Sequence, residues 1–508
     1  HFDKIVLEQQ GAGVPAPKLF GTKMKHIIFP LFFLLSSVAI AQPDTLWSLA
    51  WGDRYDDSFT SVIELNNGEF VVFGGDYIGD RQRTNFLVMN LNANGTQNWS
   101  TTFGGDRWDL ANEIVSAHNS DLLVVGITDS YGQGRENGYA AKLNSQGEVQ
   151  WFNWYGGESV DNFRSVRNLG DGNFAICGST YSFGENSSDM WLVKIDDAGE
   201  VLWQRTYDNR SSEGAETIVH CDDGGFLLAG YTFSDGWSGR DFYVVRTDSV
   251  GNELWNASFG DSLSDICHDA LQTADGGFLL GGVIDNYPAE DFEDMWLVKI
   301  DKEGGFEWSR RYGGDDDEYC YSIDQTLDGG YILSGVTSSF GEGVYNYYIV
   351  RVDSMGNELW SMVLGERGIN RCYSVISTSD GGYALAGVRD YGGGRRSDGW
   401  IVKTGRDPLL NNVVLVDPSF PSELKLHTPY PNPFNSTTRI AFQLPYPSHV
   451  NLSIRDQQGR EVTVLLNQNL TLGKHEVRWQ ADDQPSGMYF CTMDANGFRI
   501  SKGVVFVR

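Results

Sequence analysis

Residues 274–315 read ADGGFLLGG, then a polar loop, then DMWLVKIDKEGGFEWSRRYGGD, and the same sentence is written seven times along the chain. A tryptophan closes each copy, at Trp47, Trp99, Trp151, Trp203, Trp255, Trp308 and Trp360, spaced 52, 52, 52, 52, 53 and 52 residues. A glycine keeps the same time at Gly74, Gly126, Gly178, Gly230, Gly282, Gly335 and Gly387, with the same one-residue slip between the fifth and sixth copies. A period of this size, holding several short strands, means a solenoid or a propeller.

Each copy reads as four strands. In the sixth they are strand a at 319–326, b at 331–334, c at 347–352 and d at 358–363. The a–b and c–d connections are tight and built from Asp, Asn and Gly, which supply the positive φ that hairpin turns need. In strand c, Met190, Leu192 and Ile195 alternate with Trp191, Val193 and Lys194. Both faces are largely apolar, as in sheets packed on both sides.

The two ends of the array are complementary. The last copy runs through Gly399, Trp400, Ile401, Val402 and Lys403 and stops, with Asn412 where the period would place a tryptophan. The first copy begins with an unaccompanied strand d, Thr45-Leu46-Trp47-Ser48. An amino-terminal strand that completes the seventh sheet leaves no edge open. An open solenoid would need caps at both ends, and none is apparent. The expectation is an all-β chain with a seven-bladed β-propeller over residues 44–404, its first strand closing the last blade.

Strand order places the a–b and c–d turns on one face and the longer b–c and d–a loops on the other. On the second face one position carries Asp57, Asp109, Asp161, Glu213, Asp265, Glu318 and Asn370. An acid at a loop-to-strand junction ordinarily accepts backbone N–H bonds and fixes the connector. The functional alternative is a ring at the channel mouth that holds a polyhydroxylated ligand or a cation, calcium being the ion such oxygens suit. The b–c loops add Tyr77, Tyr131, Phe183, Trp237, Tyr287, Phe340 and Tyr391. Aromatic faces beside carboxylates suit sugar rings, although recurrence at one position is also what packing produces. Asn85, Asn137, Asp189, Asp241, Asp294, Asn346 and Asp398 open strand c and read as turn caps.

Several classes are disfavoured. A formal charge of −30 over 508 residues repels phosphate backbones, so nucleic acid is not an expected partner. No HExxH, GxSxG or phosphate-binding glycine loop occurs, and residues 90–95 imitate a calcium loop but have Thr101 where the bidentate Glu belongs. No cofactor is expected, and no metal site is certain. Six cysteines lack any metal-ligand spacing. Cys267, Cys320 and Cys372 occupy equivalent positions in successive copies, which fits buried thiols and would also bring neighbours toward disulfide reach.

Residues 1–23 have no periodic pattern and read as upstream translation outside the native chain. A basic start at Met24-Lys25-His26, an apolar run at 27–38 and the small-x-small site Ala39-Ile40-Ala41 read as a secretory signal peptide over residues 24–41. The run is shorter than the ~20 residues a spanning helix needs, so no transmembrane anchor is expected in the mature chain.

After a linker at 405–423, residues 424–508 read as short strands separated by turn signals, an Ig-like β-sandwich. Pro431, Asn432, Pro433, Phe434 and Asn435, then Gly459 and Arg460, then Gly487 and Tyr489, and finally Lys502 closely resemble, in family order, the type A sorting domain of the type IX secretion system. The resemblance implies the secretion machinery as partner, export by way of the periplasm, and release or attachment at the cell surface. The stretch KIDDAGEVLWQ at 194–204 is similar to the repeat of quinoprotein-type propellers, without the adjacent cysteine pair of quinone dehydrogenases. Together these readings give a secreted or surface-attached bacterial propeller that binds an extracellular partner, a glycan or a protein, through its b–c/d–a face. The alternatives are a propeller glycoside hydrolase or lyase using acids at the channel mouth, and a structural surface protein.

Overall fold

The computed structural model describes residues 42–412 and 425–507, apart from 53–54, 79–82, 185–186, 210, 234–238, 261–262, 286–291, 391–395, 445–447, 471–472, 482–483 and 496–497. The expected signal peptide and the residues before it lie outside the described residues, as do Trp237, Tyr287 and Tyr391. No helix among the described residues is long and apolar enough to cross a membrane.

Six copies fold as antiparallel sheets of four consecutive strands. In the third, strand a is Asp161–Asn168, b is Phe174–Thr180, c is Asp189–Ile195 and d is Val201–Tyr207. The seventh sheet takes Arg371–Ser377, Tyr383–Asp390 and Ser397–Thr404 from the end of the array and Thr45–Trp51 from its start. Register runs from Thr45 opposite Thr404 to Trp51 opposite Gly399, as the lone opening strand predicts. Each strand a packs beside the next, and Asp57–Glu64 of the first sheet packs beside Arg371–Ser377 of the seventh, so the inner strands form a closed circle. One hydrophobic cluster fills each gap. The cluster across the seam joins Phe59, Val62, Phe70 and Val72 to Ala384, Ala386 and Ile401.

Every strand a carries a bulge. In the third sheet Phe163 pairs with Gly178 and Ser165 with Cys177, which leaves Arg164 as the extra residue. Opposite the bulge the strand-a carbonyl crowds strand b: a Cβ on Gly178 would stand 2.0 Å from the Asn162 carbonyl oxygen, and one on Gly230 2.0 Å from that of Gly214. This contact is the physical reason for the glycine ruler.

The bulge also frees a backbone N–H, which bonds across to the neighbouring sheet. Ile114 N–H donates to Ser61 Oγ at 3.4 Å, Val166 N–H to Glu113 Oε2 at 2.7 Å, Ile323 N–H to Asp269 Oδ2 at 2.9 Å and Val375 N–H to Ser322 Oγ at 3.3 Å. Val62 N–H donates to Ser374 Oγ at 3.3 Å and closes the circle across 312 residues.

The tryptophan ruler has a matching cause. The Trp203 ring lies against Gly251 in the c–d turn of the next sheet, a glycine at φ 80° where a Cβ would be 2.9 Å from the ring. Trp47, Trp151 and Trp255 each donate an indole N–H to a carbonyl of that next turn. Trp360 has no such turn ahead of it. Its N–H reaches the buried Asp407 carboxylate at 3.4 Å, which also pairs with Arg351 at 3.1 Å and accepts the Tyr383 hydroxyl at 2.6 Å. All six cysteines are free and buried, in line with the packed-thiol reading.

The carboxyl-terminal strands form a three-stranded sheet containing Thr437–Leu444 and a four-stranded sheet ending in Phe498–Phe506. Phe434, Ile440, Phe442, Leu452, Trp479 and Phe506 belong to its core. Asn432 accepts the Val505 N–H at 2.8 Å and donates to the Gly503 carbonyl at 3.0 Å, stitching the Pro-Asn-Pro-Phe-Asn segment to the last strand.

The bulge predicts a sharp contrast between two glycines of one sheet. Gly178→Ala must displace backbone and should cost about 3 kcal/mol or more. Gly170→Ala, at φ 76° with nothing within 4 Å of the new Cβ, should cost about 1 kcal/mol. Urea denaturation of the two variants measures both.

Candidate functional site

The bulge residue turns its side chain toward the central channel. The seven are Thr60, Asn112, Arg164, Glu216, His268, Tyr321 and Tyr373. All seven border one cavity of about 700 Å³, which also takes in Tyr77, Tyr231, Arg240 and Arg371. The bulge position carries six residue types in seven copies, and at the strand position two before it Ser58, Leu110, Asn162, Gly214, Ile266, Tyr319 and Arg371 all differ. Simple alternation along strand a hides the bulge position, because the bulge shifts the side-chain phase by one.

The lining is organised in two groups. Arg164 Nε lies 3.6 Å from Glu216 Oε2, and the Arg240 guanidinium lies 4.6 Å from the Tyr231 ring centre and 5.0 Å from that of Phe233. Beside them, burial pushes the His268 imidazole below its ordinary pKa, so the ring is neutral at pH 7. His268 meets Tyr321 edge to face at 5.3 Å, Tyr321 meets Tyr373 at 5.5 Å, and Arg371 sits 5.2 Å over the Tyr345 ring. Burial raises the Tyr321 and Tyr373 phenols, so both stay protonated donors.

Further along the channel, toward the a–b turns, Arg167 and Glu113 pair at 2.7 Å beside Asp269 and Asp324. Burial pushes both aspartates up to about 6, while backbone N–H bonds from Ile323 and Ser377 partly oppose the shift.

The acid ring occupies a different environment. Asp57, Asp109, Asp161, Glu213, Asp265 and Glu318 are each at most 1% exposed, and Asn370 is fully buried. Asp161 accepts the Thr180 hydroxyl, the Ser182 hydroxyl at 2.6 Å and the Gly157 N–H at 2.8 Å. Asp109 and Glu318 repeat the pattern with Thr128 and Gly105, and with Thr337 and Gly314. This is the connector geometry, with the oxygens turned to the chain; Asp57 alone also borders the cavity. Among the described residues, Asp189, Asp208 and Glu213 form a carboxylate group with oxygens within 4.8 Å of one another. Asp208 stands where the other copies have Gly104, Gly156, Gly260, Gly313 and Gly365.

The loop aromatics divide as well. Phe183 packs on Trp191 at 5.6 Å, Phe340 on Tyr348 at 5.5 Å and Tyr131 on Phe152 at 4.8 Å, each within its own sheet. Tyr131 also donates its hydroxyl to the Gly104 carbonyl of the preceding connector at 3.0 Å. Tyr131 and Phe340 remain 40% and 39% exposed. Tyr77 borders the cavity together with the bulge residues, and Tyr131, Phe183 and Phe340 do not.

At the carboxyl terminus, Phe434 is held between Trp479 at 5.2 Å and Phe506 at 5.1 Å. Gly459 takes φ 78° in the turn where Asp456 caps the Arg460 N–H at 2.9 Å, and the Tyr489 hydroxyl donates to the Pro485 carbonyl at 2.7 Å. Gly487 opens the strand Gly487–Ala495, and Lys502 is exposed on the last strand. Residues 428–507 match the family described as the secretion system C-terminal sorting domain. The carboxyl-terminal segment is a type IX secretion sorting domain. It directs export to the cell surface or the extracellular space and implies interaction with the type IX machinery.

No curated protein matches the chain. Among solved structures, the chain is similar to the Pan2 WD40 domain of Neurospora crassa, at 12% identity over 74% of this chain and 99% of that one with a TM-score of 0.44. It is similar to Sqt1 from Chaetomium thermophilum at 10% identity over 72% and 99%, TM-score 0.41. The alpha-L-arabinofuranosidase Arb93A from Fusarium graminearum overlaps at 8% identity over 72% and 98%, TM-score 0.44. At this level of overlap the likeness says nothing about ligand or chemistry.

The connector geometry predicts that Asp161→Asn, which turns one carboxylate oxygen, an acceptor of two bonds, into a donor, lowers stability by about 1.5–3 kcal/mol in thermal or urea unfolding. Asp269 and Asp324 predict a second effect. Their folded pKa values lie above the unfolded value of 3.8, so the native state binds more protons between about pH 4 and 6. Stability therefore falls as pH rises through that window. Urea midpoints across pH should show the decline, and Asp324→Asn should reduce it.

Proposed function

We propose that residues 44–404 form a seven-bladed β-propeller, that residues 424–508 form an Ig-like sandwich, and that the propeller binds an extracellular saccharide in its central channel. The first part is supported by the closed circle of inner strands and by the pairing of Thr45–Trp51 with Ser397–Thr404. The observation that carries the binding reading is the cavity of about 700 Å³ lined by the variable bulge residues. Its volume is in the range of small-ligand sites, and it joins aromatic faces to hydroxyl, guanidinium and carboxylate groups, the mixture that sugar rings require.

One observation favours an enzymatic reading as well. His268, held neutral, faces the same cavity as Glu216 and Tyr321, so a base and two proton carriers share one space. Product analysis on the polysaccharides that bind separates the two readings, since a lyase or hydrolase shortens its ligand.

Binding to a polysaccharide panel, measured by pull-down with purified protein, should fall at least tenfold when Tyr321 and Tyr373 are both changed to Ala. Undiminished binding would place the ligand elsewhere.

A further inference from the structure

We infer that the channel ligand is an acidic saccharide, a short oligosaccharide or chain end bearing a uronic acid, with its carboxylate directed at the channel arginines; this rests on the saccharide reading above. Arg240 and Arg371 both border the cavity, and among the described residues neither has a carboxylate within ion-pair distance. Instead each guanidinium lies over an aromatic ring, Arg240 over Tyr231 and Arg371 over Tyr345. Stacking by the face fixes the plane of each group and turns its N–H edge to the channel; Arg371 also bonds the Tyr373 hydroxyl, which leaves it further N–H groups for a carboxylate. Arg164 adds a third guanidinium, held only loosely by Glu216 at 3.6 Å.

Two of the lining-side acids, on the sheet next to Arg371, are already engaged. Asp56 accepts both the N–H and the hydroxyl of Ser397, at 3.0 and 3.2 Å, and Asp57 accepts the Tyr77 N–H at 3.2 Å. Glu216 has Arg164 beside it, so among the described lining residues the charged groups without an opposite charge at ion-pair distance include the guanidinium groups of Arg240 and Arg371, inside a chain of formal charge −30. That contrast also limits the ligand. The field of the whole protein repels a densely sulfated or phosphorylated polymer, whereas isolated carboxylates on sugar rings meet the guanidinium edges while the rings lie on Tyr321 and Tyr373.

The test is calorimetric titration of the full chain with a galacturonic acid trisaccharide, with the neutral galactose trisaccharide of the same linkage, and with a glutamate tripeptide. The inference expects the acidic sugar to bind at least tenfold more tightly than the neutral one. It also expects Arg240→Gln and Arg371→Gln each to remove most of that difference, with added salt weakening the acidic sugar alone. Arg310→Gln, on an outer strand, should change nothing, and unchanged thermal midpoints confirm that the two channel variants are folded. Equal affinity for both sugars overturns the inference and leaves saccharide binding standing. Binding of the tripeptide alone, or of none of the three, overturns both.

Discussion

The whole propeller depends on a close approach between two backbones. In every sheet the inner strand inserts one extra residue, and its carbonyl then comes so near the second strand that only glycine fits opposite. Gly74, at 1.8 Å from Ser58 O for an added Cβ, and Gly335, at 1.7 Å from Tyr319 O, are the tightest cases. Two consequences follow from one distortion. A freed N–H ties each inner strand to its neighbour, and a side chain is thrown into the channel. The scaffold and the lining of the site are thus made by the same residues.

The rest of the repeated text is occupied with holding sheets together. Lys142, Arg246, Lys299, Arg351 and Lys403 are buried near the ends of their strands c, and each pairs with an acid of its own a–b turn. In the first sheet Asn90 and Glu69 make a neutral-to-charged version of the same contact at 3.2 Å. Tyr155, Tyr207 and Tyr312 end strand d by donating to a carbonyl of the next c–d turn. The residues that recur at these positions therefore mark structure. The Asp407 carboxylate shows how strict the requirement is: where the array stops, one side chain replaces a missing turn.

The sorting domain follows the same logic in another fold. Its most recognisable segment, Pro431 to Asn435, is bound along the last strand by Asn432 and by the Phe434 backbone, which exchanges bonds with Val505 and Val507. Lys502 and Arg460 are exposed on that framework, and Arg460 pairs with Asp456 at 2.7 Å. The sorting domain and the propeller are thereby separate stretches of chain, each with its own core.

The amino-acid sequence alone determined the repeat, the closing strand, the two faces and the sorting address, because each is written in spacing and turn chemistry that act locally. The strand that bears Trp47 and the strand that bears Gly399 could be matched across the chain by counting. The channel lining was decided by tertiary structure. A bulge changes which face a side chain takes, so Arg164, His268 and Tyr321 read as ordinary strand residues until the partner strand is in place. The acids at Asp109 and Asp161 illustrate the converse. Their spacing marks them as a ring, yet whether a carboxylate faces solvent or caps a connector depends on the Thr, Ser and Gly groups that only folding brings within 3 Å of it.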